Sequence, residues 1–251
     1  MKKFSGRVLV FILLVFTVTL VFGGLQEILS LNYSFVMLPQ LAPVLAFLLL
    51  SLIFRDISFT LNFKADPWNI YKMVLAFILP FLILFKVYLI GNMMDFPMII
   101  TKHRLSALWP VLPGMILGAV GEEIGWRGFL QPYFEKKFSV LLSGIFTGIF
   151  WGLWHAQLYA NGVAFMLSFL LFTVSSSVVV TWMLRGTSYN ILVASLFHLS
   201  LNLGFFFFFE GSLNHIGIML TNGIVWTIPA LIIGFSANKQ TFYNDVIKAE
   251  S

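Results

Sequence analysis

Five ionisable side chains and one amide lie inside strongly apolar stretches of this sequence. They are Glu122, Glu123, Arg127, His155, His198 and Asn202. A buried carboxylate can act as a general base toward water. Imidazole and amide N–H groups can donate hydrogen bonds to a developing oxyanion. The set therefore suits the hydrolysis of an amide bond.

The same side chains could instead hold a metal ion. Two histidines and one glutamate, here Glu122, His155 and His198, are a common set of zinc ligands. The sequence lacks a His-Glu-x-x-His pattern, so the ligands would come from three separate helices. The sequence thus leaves open whether a divalent metal such as zinc is a cofactor.

The apolar stretches that carry these residues predict membrane-spanning helices. Hydrophobic residues make up 59% of the 251-residue chain and charged residues 10%, whereas soluble domains carry about 25% charged residues. A bilayer-spanning helix needs about 20 mostly apolar residues. We predict spans at 8–29, 36–54, 70–91, 108–131, 140–158, 163–184, 189–209 and 215–235. The predicted fold is an all-α, polytopic membrane bundle of about eight transmembrane helices.

The basic residues predict the orientation of the chain in the membrane. With the N-terminus in the cytoplasm, alternating spans place most loop lysines and arginines on that side, as the positive-inside rule requires. These are Lys2, Lys3, Arg7, Arg55, Lys64, Lys72, Lys136, Lys137, Arg185, Lys239 and Lys248, against Lys102 and Arg104 outside. We expect both termini in the cytoplasm, with a retained first helix and a short polar tail from Ala237 to Ser251.

Three parts of the chain follow from the positions of the motifs. Residues 1–107 hold the first three helices, residues 108–210 a catalytic core of helices four to seven, and residues 211–251 the last helix and tail. Cysteine is absent, which excludes a disulfide framework, a thiolate zinc site and a cysteine nucleophile. The net charge of +5 reflects membrane orientation rather than nucleic-acid binding.

The two adjacent glutamates point to different faces of the fourth span. At about 100° per residue, glycines form a stripe along one face of it. These are Gly114, Gly118, Gly121 and Gly125. Glu122 lies at the edge of the stripe, where another backbone can approach closely. Glu123 and Arg127 lie on the opposite side, and their i,i+4 spacing allows an ion pair.

Two further spans repeat this arrangement. Gly144, Gly148 and Gly152 form a small-residue stripe on the fifth span, and His155 lies on the same face. His198 and Asn202, four residues apart, share a face of the seventh span. At about 1.5 Å per residue, the four candidate catalytic residues lie roughly 15–24 Å from the cytoplasmic ends of their helices. We therefore expect them to converge within the bilayer.

At these motifs the chain resembles the CPBP family of intramembrane proteases, the CAAX protease and bacteriocin-processing (Abi) family. That family includes the Ras-converting CAAX endopeptidases and lysostaphin-resistance-A-like proteins. Its three motifs correspond to Glu122-Glu123…Arg127, Trp151…His155 and His198…Asn202. The resemblance covers about residues 108–210. Trp151 stands where the family often has Phe, and since both are bulky aromatics we attach little weight to this difference.

The resemblance implies an intramembrane endopeptidase that cleaves a peptide bond in or near the bilayer. It implies that Glu122 activates water together with His155. It also implies that His198 and Asn202 stabilise the oxyanion. The resemblance does not decide whether the reaction requires a metal.

For Glu123 and Arg127 the resemblance implies a structural role or a role in positioning the substrate. The expected partners are membrane lipid and a peptide or membrane-protein substrate, without nucleic acid. The expected location is a bacterial cytoplasmic membrane.

Three other functions stay open. His155 and His198 could ligate a b-type haem, although haem would leave Glu122 and Asn202 unexplained. Intramembrane carboxylates also mark ion paths in transporters, although the sequence has no convincing inverted repeat. A catalytically silent family member could act as a scaffold or in bacteriocin immunity, although its motifs would be expected to decay.

Overall fold

A computed structural model describes the backbone of residues 2–33, 35–57, 61–97 and 104–236. Lys102, Lys239, Lys248 and the tail from Ala237 to Ser251 lie outside the described residues, as do the side chains of Lys2, Lys3 and Arg104. The described part of the chain is built from helices and connecting turns. An isolated parallel bridge between Asn62 and Asn190 joins two of the connections.

The helices follow one another along the whole described chain. They are α1 (Lys2–Ile28), α2 (Ala42–Ile53), α3 (Pro67–Met93), α4 (Arg104–Gly125), α5 (Gln131–Glu135), α6 (Val140–Trp154), α7 (Val163–Met183), α8 (Ile191–Phe209) and α9 (Ile216–Ser236). A 3-10 turn, Leu38–Leu41, leads into α2, and another, Ala156–Asn161, follows α6. A π-helical turn, Trp126–Leu130, joins α4 to α5.

Six of the described helical segments are long and apolar enough to cross a bilayer. One of them is continuous from Leu105 to Glu135 through the π-helical turn. The segments Leu38–Ile53 and Val140–Trp154 are apolar but shorter. The 15 residues of α6 extend only about 22 Å, less than the hydrocarbon core of about 30 Å. Each predicted span thus corresponds to a helix, and the chain is an all-α polytopic membrane protein.

The glycine stripe of α4 packs against the chain that enters α2. A Cβ atom added at Gly121 would lie 2.9 Å from Leu41 Cδ2, and one at Gly125 would lie 2.7 Å from the Pro43 carbonyl carbon. Such contacts are too short for any side chain, so glycine is what allows this approach. The close approach predicted from the sequence is therefore confirmed, and it brings the 3-10 turn before α2 beside Glu122.

The second glycine stripe packs against α7. A Cβ atom added at Gly148 would lie 2.7 Å from the Val174 Cα atom, and one at Gly152 would lie 2.7 Å from Leu170 Cδ2. In this part of α7 the small Thr173 and Ser177 are buried, which lets the two helices come this close. This contact fixes α6 and therefore the position of its last residues.

Candidate active site

Glu122 is buried in the last turn of α4, with 1% of its surface exposed. Its carboxylate accepts two hydrogen bonds from neutral donors. Gln40 Nε2 donates to Oε1 over 3.1 Å, and Trp151 Nε1 donates to Oε2 over 3.0 Å. The donors come from the turn before α2 and from α6, the segments that the glycine stripes bring close. Two neutral hydrogen bonds orient this carboxylate without placing a lysine or arginine against it.

The next residue, Glu123, has a different environment. Its Oε1 atom forms a buried ion pair of 2.9 Å with Arg127 Nη1, so the i,i+4 pair predicted from the sequence is confirmed. The same oxygen bonds to His198 Nδ1 over 2.8 Å. Within the described residues, the two adjacent glutamates thus have different partners: Glu123 has a cationic partner, and the hydrogen-bond donors to Glu122 are neutral.

Arg127 connects the π-helical turn to two other helices. Its Nη2 atom donates to Ser177 Oγ over 3.3 Å, and Ser177 Oγ donates to the Gly144 carbonyl over 2.7 Å. The guanidinium carbon lies 5.0 Å from the centroid of the Trp151 ring, within the range of a cation–π contact. Arg127 therefore fixes Glu123 and Trp151 relative to α6 and α7.

His198, on α8, lies between the two glutamates. Its Nδ1 atom is held by Glu123, and its Nε2 atom lies 3.9 Å from Glu122 Oε2. That second distance exceeds hydrogen-bond range. In its doubly protonated form the imidazole would have a carboxylate facing each nitrogen. Glu123 thus orients the ring so that Nε2 faces Glu122.

Trp151 occupies the centre of the site, although the sequence interpretation attached little weight to it. Its ring lies 5.3 Å from the His198 ring and 6.0 Å from the His155 ring, between centroids. Its indole N–H is the donor to Glu122 Oε2. The signal in the sequence was a Trp where the related family often has Phe, because Phe has no donor. Gln40 and Ser177 were also missed, and no pattern around either residue singles it out.

His155 stands at the end of α6, where it helps to terminate the helix. Its Nδ1 atom lies 2.8 Å from the Trp151 carbonyl, the acceptor that its own backbone N–H would use in a continuing α-helix. The backbone N–H bonds to the Gly152 carbonyl instead. The helix therefore ends at Trp154, four residues before the predicted end. Because a carbonyl only accepts, Nδ1 carries the proton and a neutral ring keeps Nε2 as an acceptor.

Some of the predicted site residues contact each other directly, and others are connected through Trp151. Direct contacts link Glu123 to Arg127 and to His198, while Trp151 bridges Glu122 to His198 and His155. Asn202 lies one turn beyond His198 and is partly exposed. Its amide makes no hydrogen bond within the residues that the structure describes.

Comparison with known proteins gives an independent result. Residues 104–204 match the family model described as Rce1-like, type II CAAX prenyl endopeptidase Rce1-like. The chain is 25% identical over 224 residues to lysostaphin resistance protein A from Staphylococcus aureus strains Newman, COL and N315. This similarity covers 83% of the chain and 52% of each relative, so the chain spans about half the length of the curated relatives it matches. All three motifs lie inside the matched stretch.

The match over residues 104–204 and the similarity to lysostaphin resistance protein A support a CPBP-type protein. The resemblance seen in the sequence is thereby confirmed, and the matched family model is that of CAAX-protease-type membrane endopeptidases. The stretch that matches this model includes α4, α6 and most of α8. Gln40, the second donor to Glu122, comes from outside that stretch.

A zinc site built from the three suggested ligands has a strict geometric requirement. Glu122, His155 and His198 would have to converge at about 2 Å from one ion. Over the described ranges, no group of three or more His, Asp or Glu residues is arranged to hold a metal ion. The Nδ1 atoms of the two histidines are held by Glu123 and by the Trp151 carbonyl, which leaves both Nε2 atoms free, so the misfit lies in the relative positions of the three side chains and not in their hydrogen bonds. These residues do not fit a three-ligand site in this arrangement.

Proposed function

We propose that this protein is an endopeptidase that hydrolyses a peptide bond in or near the bilayer, with Glu122 as the general base. One observation carries the proposal. Among the described residues, the hydrogen-bond donors to the buried carboxylate of Glu122 are neutral and no lysine or arginine pairs with it, whereas the neighbouring Glu123 is paired with Arg127. A carboxylate that is oriented but not neutralised by a lysine or arginine is suited to taking a proton from water.

The reaction would proceed in two steps. Glu122 takes a proton from water while the water oxygen attacks the carbonyl carbon of the scissile peptide bond, giving a tetrahedral oxyanion. The oxyanion then collapses, the carbon–nitrogen bond breaks, and the proton held by Glu122 passes to the leaving amine. The products are a carboxylic acid and an amine, and proton transfer between them gives a carboxylate and an ammonium group.

His198 is the residue best placed to stabilise the oxyanion. Because the Glu123 carboxylate accepts from Nδ1, Nε2 can donate to the oxyanion only when the ring is doubly protonated, a form that the carboxylates of Glu122 and Glu123 facing its two nitrogens would favour. Asn202, one turn further along α8, would add an amide donor on the substrate side. Oriented donors of this kind contribute about 2.7–4 kcal/mol each to transition-state stabilisation.

His155 would assist Glu122 in activating water. Its Nδ1 atom is fixed on the Trp151 carbonyl, and this leaves Nε2 to accept a hydrogen bond from water. The Trp151 ring lies near both histidine rings, and its indole N–H donates to Glu122, so one side chain contacts the base and both imidazoles. The scissile bond of the peptide or membrane-protein substrate would lie beside Glu122, His155 and His198.

A cleavage assay on the purified full chain in lipid nanodiscs tests the proposal. The substrates are quenched fluorescent peptides, each with a hydrophobic segment, and the variants are Glu122→Gln and Glu123→Gln. Loss of a general base lowers the rate about 10²- to 10⁴-fold. We expect the Glu122 variant to be folded and inactive. Equal turnover by that variant and the parent would contradict the assigned base.

Two further outcomes separate the alternatives. Turnover that survives thorough chelation of the parent would show that no removable metal is needed, while loss that zinc restores would favour a metal enzyme. A parent that cleaves no peptide, with a Glu122→Gln variant that keeps the parent's phenotype in cells, would favour a catalytically silent scaffold.

We also propose that the end of the bundle that carries the first turn of α1 faces the cytoplasm. An ion pair joins Arg7 to Asp56, which follows α2. Asn62 Nδ2 donates to the Thr187 carbonyl over 2.8 Å, which brings the start of α3 to the connection between α7 and α8. Several of the basic residues that predict the orientation therefore gather at one end.

The absence of native cysteine makes this orientation directly testable. Single cysteines would replace Lys64, at the basic end, and Leu213, beyond the opposite end of α8; both positions are exposed. In intact cells, a membrane-impermeant maleimide should label the Leu213 variant and leave the Lys64 variant unlabelled. The reverse pattern would invert the proposed topology.

A further inference from the structure

Lys72 is a buried lysine near the start of α3, and no catalytic role accounts for it. Only 7% of its surface is exposed. Its ammonium lies 5.0 Å from the Trp68 ring and 5.1 Å from the Trp182 ring, measured to the centroids. The ammonium thus lies between an aromatic side chain of α3 and one of α7.

Two hydrogen bonds join the segment that precedes Lys72 to a neighbouring connection. The Asn62 carbonyl accepts from the Ile191 N–H over 2.8 Å, and Asn190 Nδ2 donates to the Lys64 carbonyl over 2.8 Å. These bonds attach the segment before α3 to the turn between α7 and α8. We call the space around the Lys72 ammonium, between Trp68 and Trp182, the recess; the connections next to the helices that carry these residues are joined by these bonds.

The charge of Lys72 lacks a counterion in the part of the chain that the structure describes. Its ammonium makes no hydrogen bond or ion pair there. The positive charge of Arg185 lies near enough to repel it. Most of the lysine side chain is covered, which raises the cost of a charge without an anion, and two cation–π contacts leave the N–H donors of the ammonium unused. The arrangement therefore calls for an anion from outside the chain.

The position of the recess indicates which anion would be available. It lies at the basic end of a membrane bundle, and two aromatic residues beside it face outward, Trp68 with 50% and Tyr71 with 53% of their surface exposed. Exposed Trp and Tyr are typical of the level of lipid headgroups. Basic recesses between transmembrane helices at this level bind anionic headgroups.

We propose that Lys72, between Trp68 and Trp182, binds a phosphate group at this end of the bundle, supplied by the headgroup of an anionic phospholipid. The ammonium would donate charge-assisted hydrogen bonds to phosphate oxygens. The indole and phenol rings of Trp68 and Tyr71 would lie against the glycerol region of the lipid. This site is separate from Glu122 and does not depend on the proposed peptidase activity.

The test measures lipid binding by the purified full chain. The chain is placed in nanodiscs of neutral phosphatidylcholine, with or without phosphatidylglycerol. Bound lipid is counted by native mass spectrometry, and thermal unfolding is followed in parallel. The variants are Lys72→Met, Lys72→Arg and Lys86→Met. Lys86 is the matched control because it removes the same charge from the exposed side of the same helix.

We expect one phosphatidylglycerol to be retained by the parent, by Lys72→Arg and by Lys86→Met. The Lys72→Met variant should bind it about fivefold more weakly, the loss expected for one basic residue at a membrane surface. Methionine keeps the apolar stem, so this variant should fold. The salt dependence is measured on the parent protein and therefore does not depend on whether a variant folds. The stabilisation by phosphatidylglycerol should weaken as salt increases.

A separate arm adds inorganic phosphate to neutral nanodiscs to distinguish the source of the phosphate group. Stabilisation by free phosphate that depends on Lys72 would keep the site and change its ligand from a lipid to a soluble phosphate. Equal lipid binding by Lys72→Met and the parent, with no effect of salt and none of free phosphate, would overturn the proposal.

Discussion

Replacement of Trp151 by phenylalanine isolates one hydrogen bond of the candidate site. The variant keeps a six-membered aromatic ring but removes the indole N–H that donates to Glu122 Oε2 over 3.0 Å. Glu122 then keeps a single donor, Gln40. The contacts of the ring with His198 and Arg127 are largely retained, so the change acts mainly on the orientation of the base.

The expected loss follows from the strength of a hydrogen bond to a charged group, about 1.5–3 kcal/mol. If that energy is used to hold the base in its reactive position, Trp151→Phe lowers kcat about 10- to 150-fold. KM should change little, because Trp151 Nε1 is directed at Glu122 and not at the substrate. The assay is steady-state cleavage of a fluorescent peptide in nanodiscs, with kcat and KM measured separately.

Trp154→Phe is the matched control for this prediction. Trp154 lies three residues further along α6, and its indole N–H donates to Thr19 Oγ1 over 2.6 Å, away from Glu122. The control loses the same group and a neutral hydrogen bond worth about 0.5–1.5 kcal/mol, so it should lower thermal stability with little effect on kcat. A kcat for Trp151→Phe within twofold of the parent, or an equal loss in both variants, would refute the reasoning.

Three further predictions concern the same region. Glu123→Gln leaves the buried Arg127 without its carboxylate, so we expect a loss of about 3–5 kcal/mol in unfolding free energy, measured by denaturation in detergent. Glu122→Gln removes no partner of an arginine or lysine and should leave stability nearly unchanged while it abolishes cleavage. Gly125→Ala should lower the unfolding free energy by about 1–3 kcal/mol through overpacking, and therefore also the Tm. The control Gly24→Ala should leave the Tm unchanged, because a Cβ atom there would meet nothing within 4 Å.

Some of these features follow from short-range sequence patterns. Assignment to the membrane proteins follows from composition, because a chain with 10% charged residues has too few of them to form a water-exposed surface. The ion pair of Glu123 and Arg127 follows from their i,i+4 spacing on one helix. The glycine stripes also follow from helical periodicity, as does the place of Glu122 beside the first stripe. In each case the relevant geometry lies within a single helix.

The sequence analysis did not anticipate two local features. The helix α6 ends at Trp154 because the imidazole of His155 occupies the acceptor that the next turn would have used. This competition depends on a side-chain conformation, which hydrophobic periodicity does not encode. Trp151 was treated as equivalent to Phe, since its indole donor matters only when an acceptor lies opposite.

The sequence by itself determined a helical membrane protein with its polar residues on particular helix faces. Only the tertiary structure decided which faces meet. Gln40 reaches Glu122 across 82 residues, and His198 reaches Glu123 across 75. The physical reason is that the 3.6-residue period fixes the direction of a side chain around its own axis, whereas the choice of neighbouring helix depends on packing between surfaces distant in the chain.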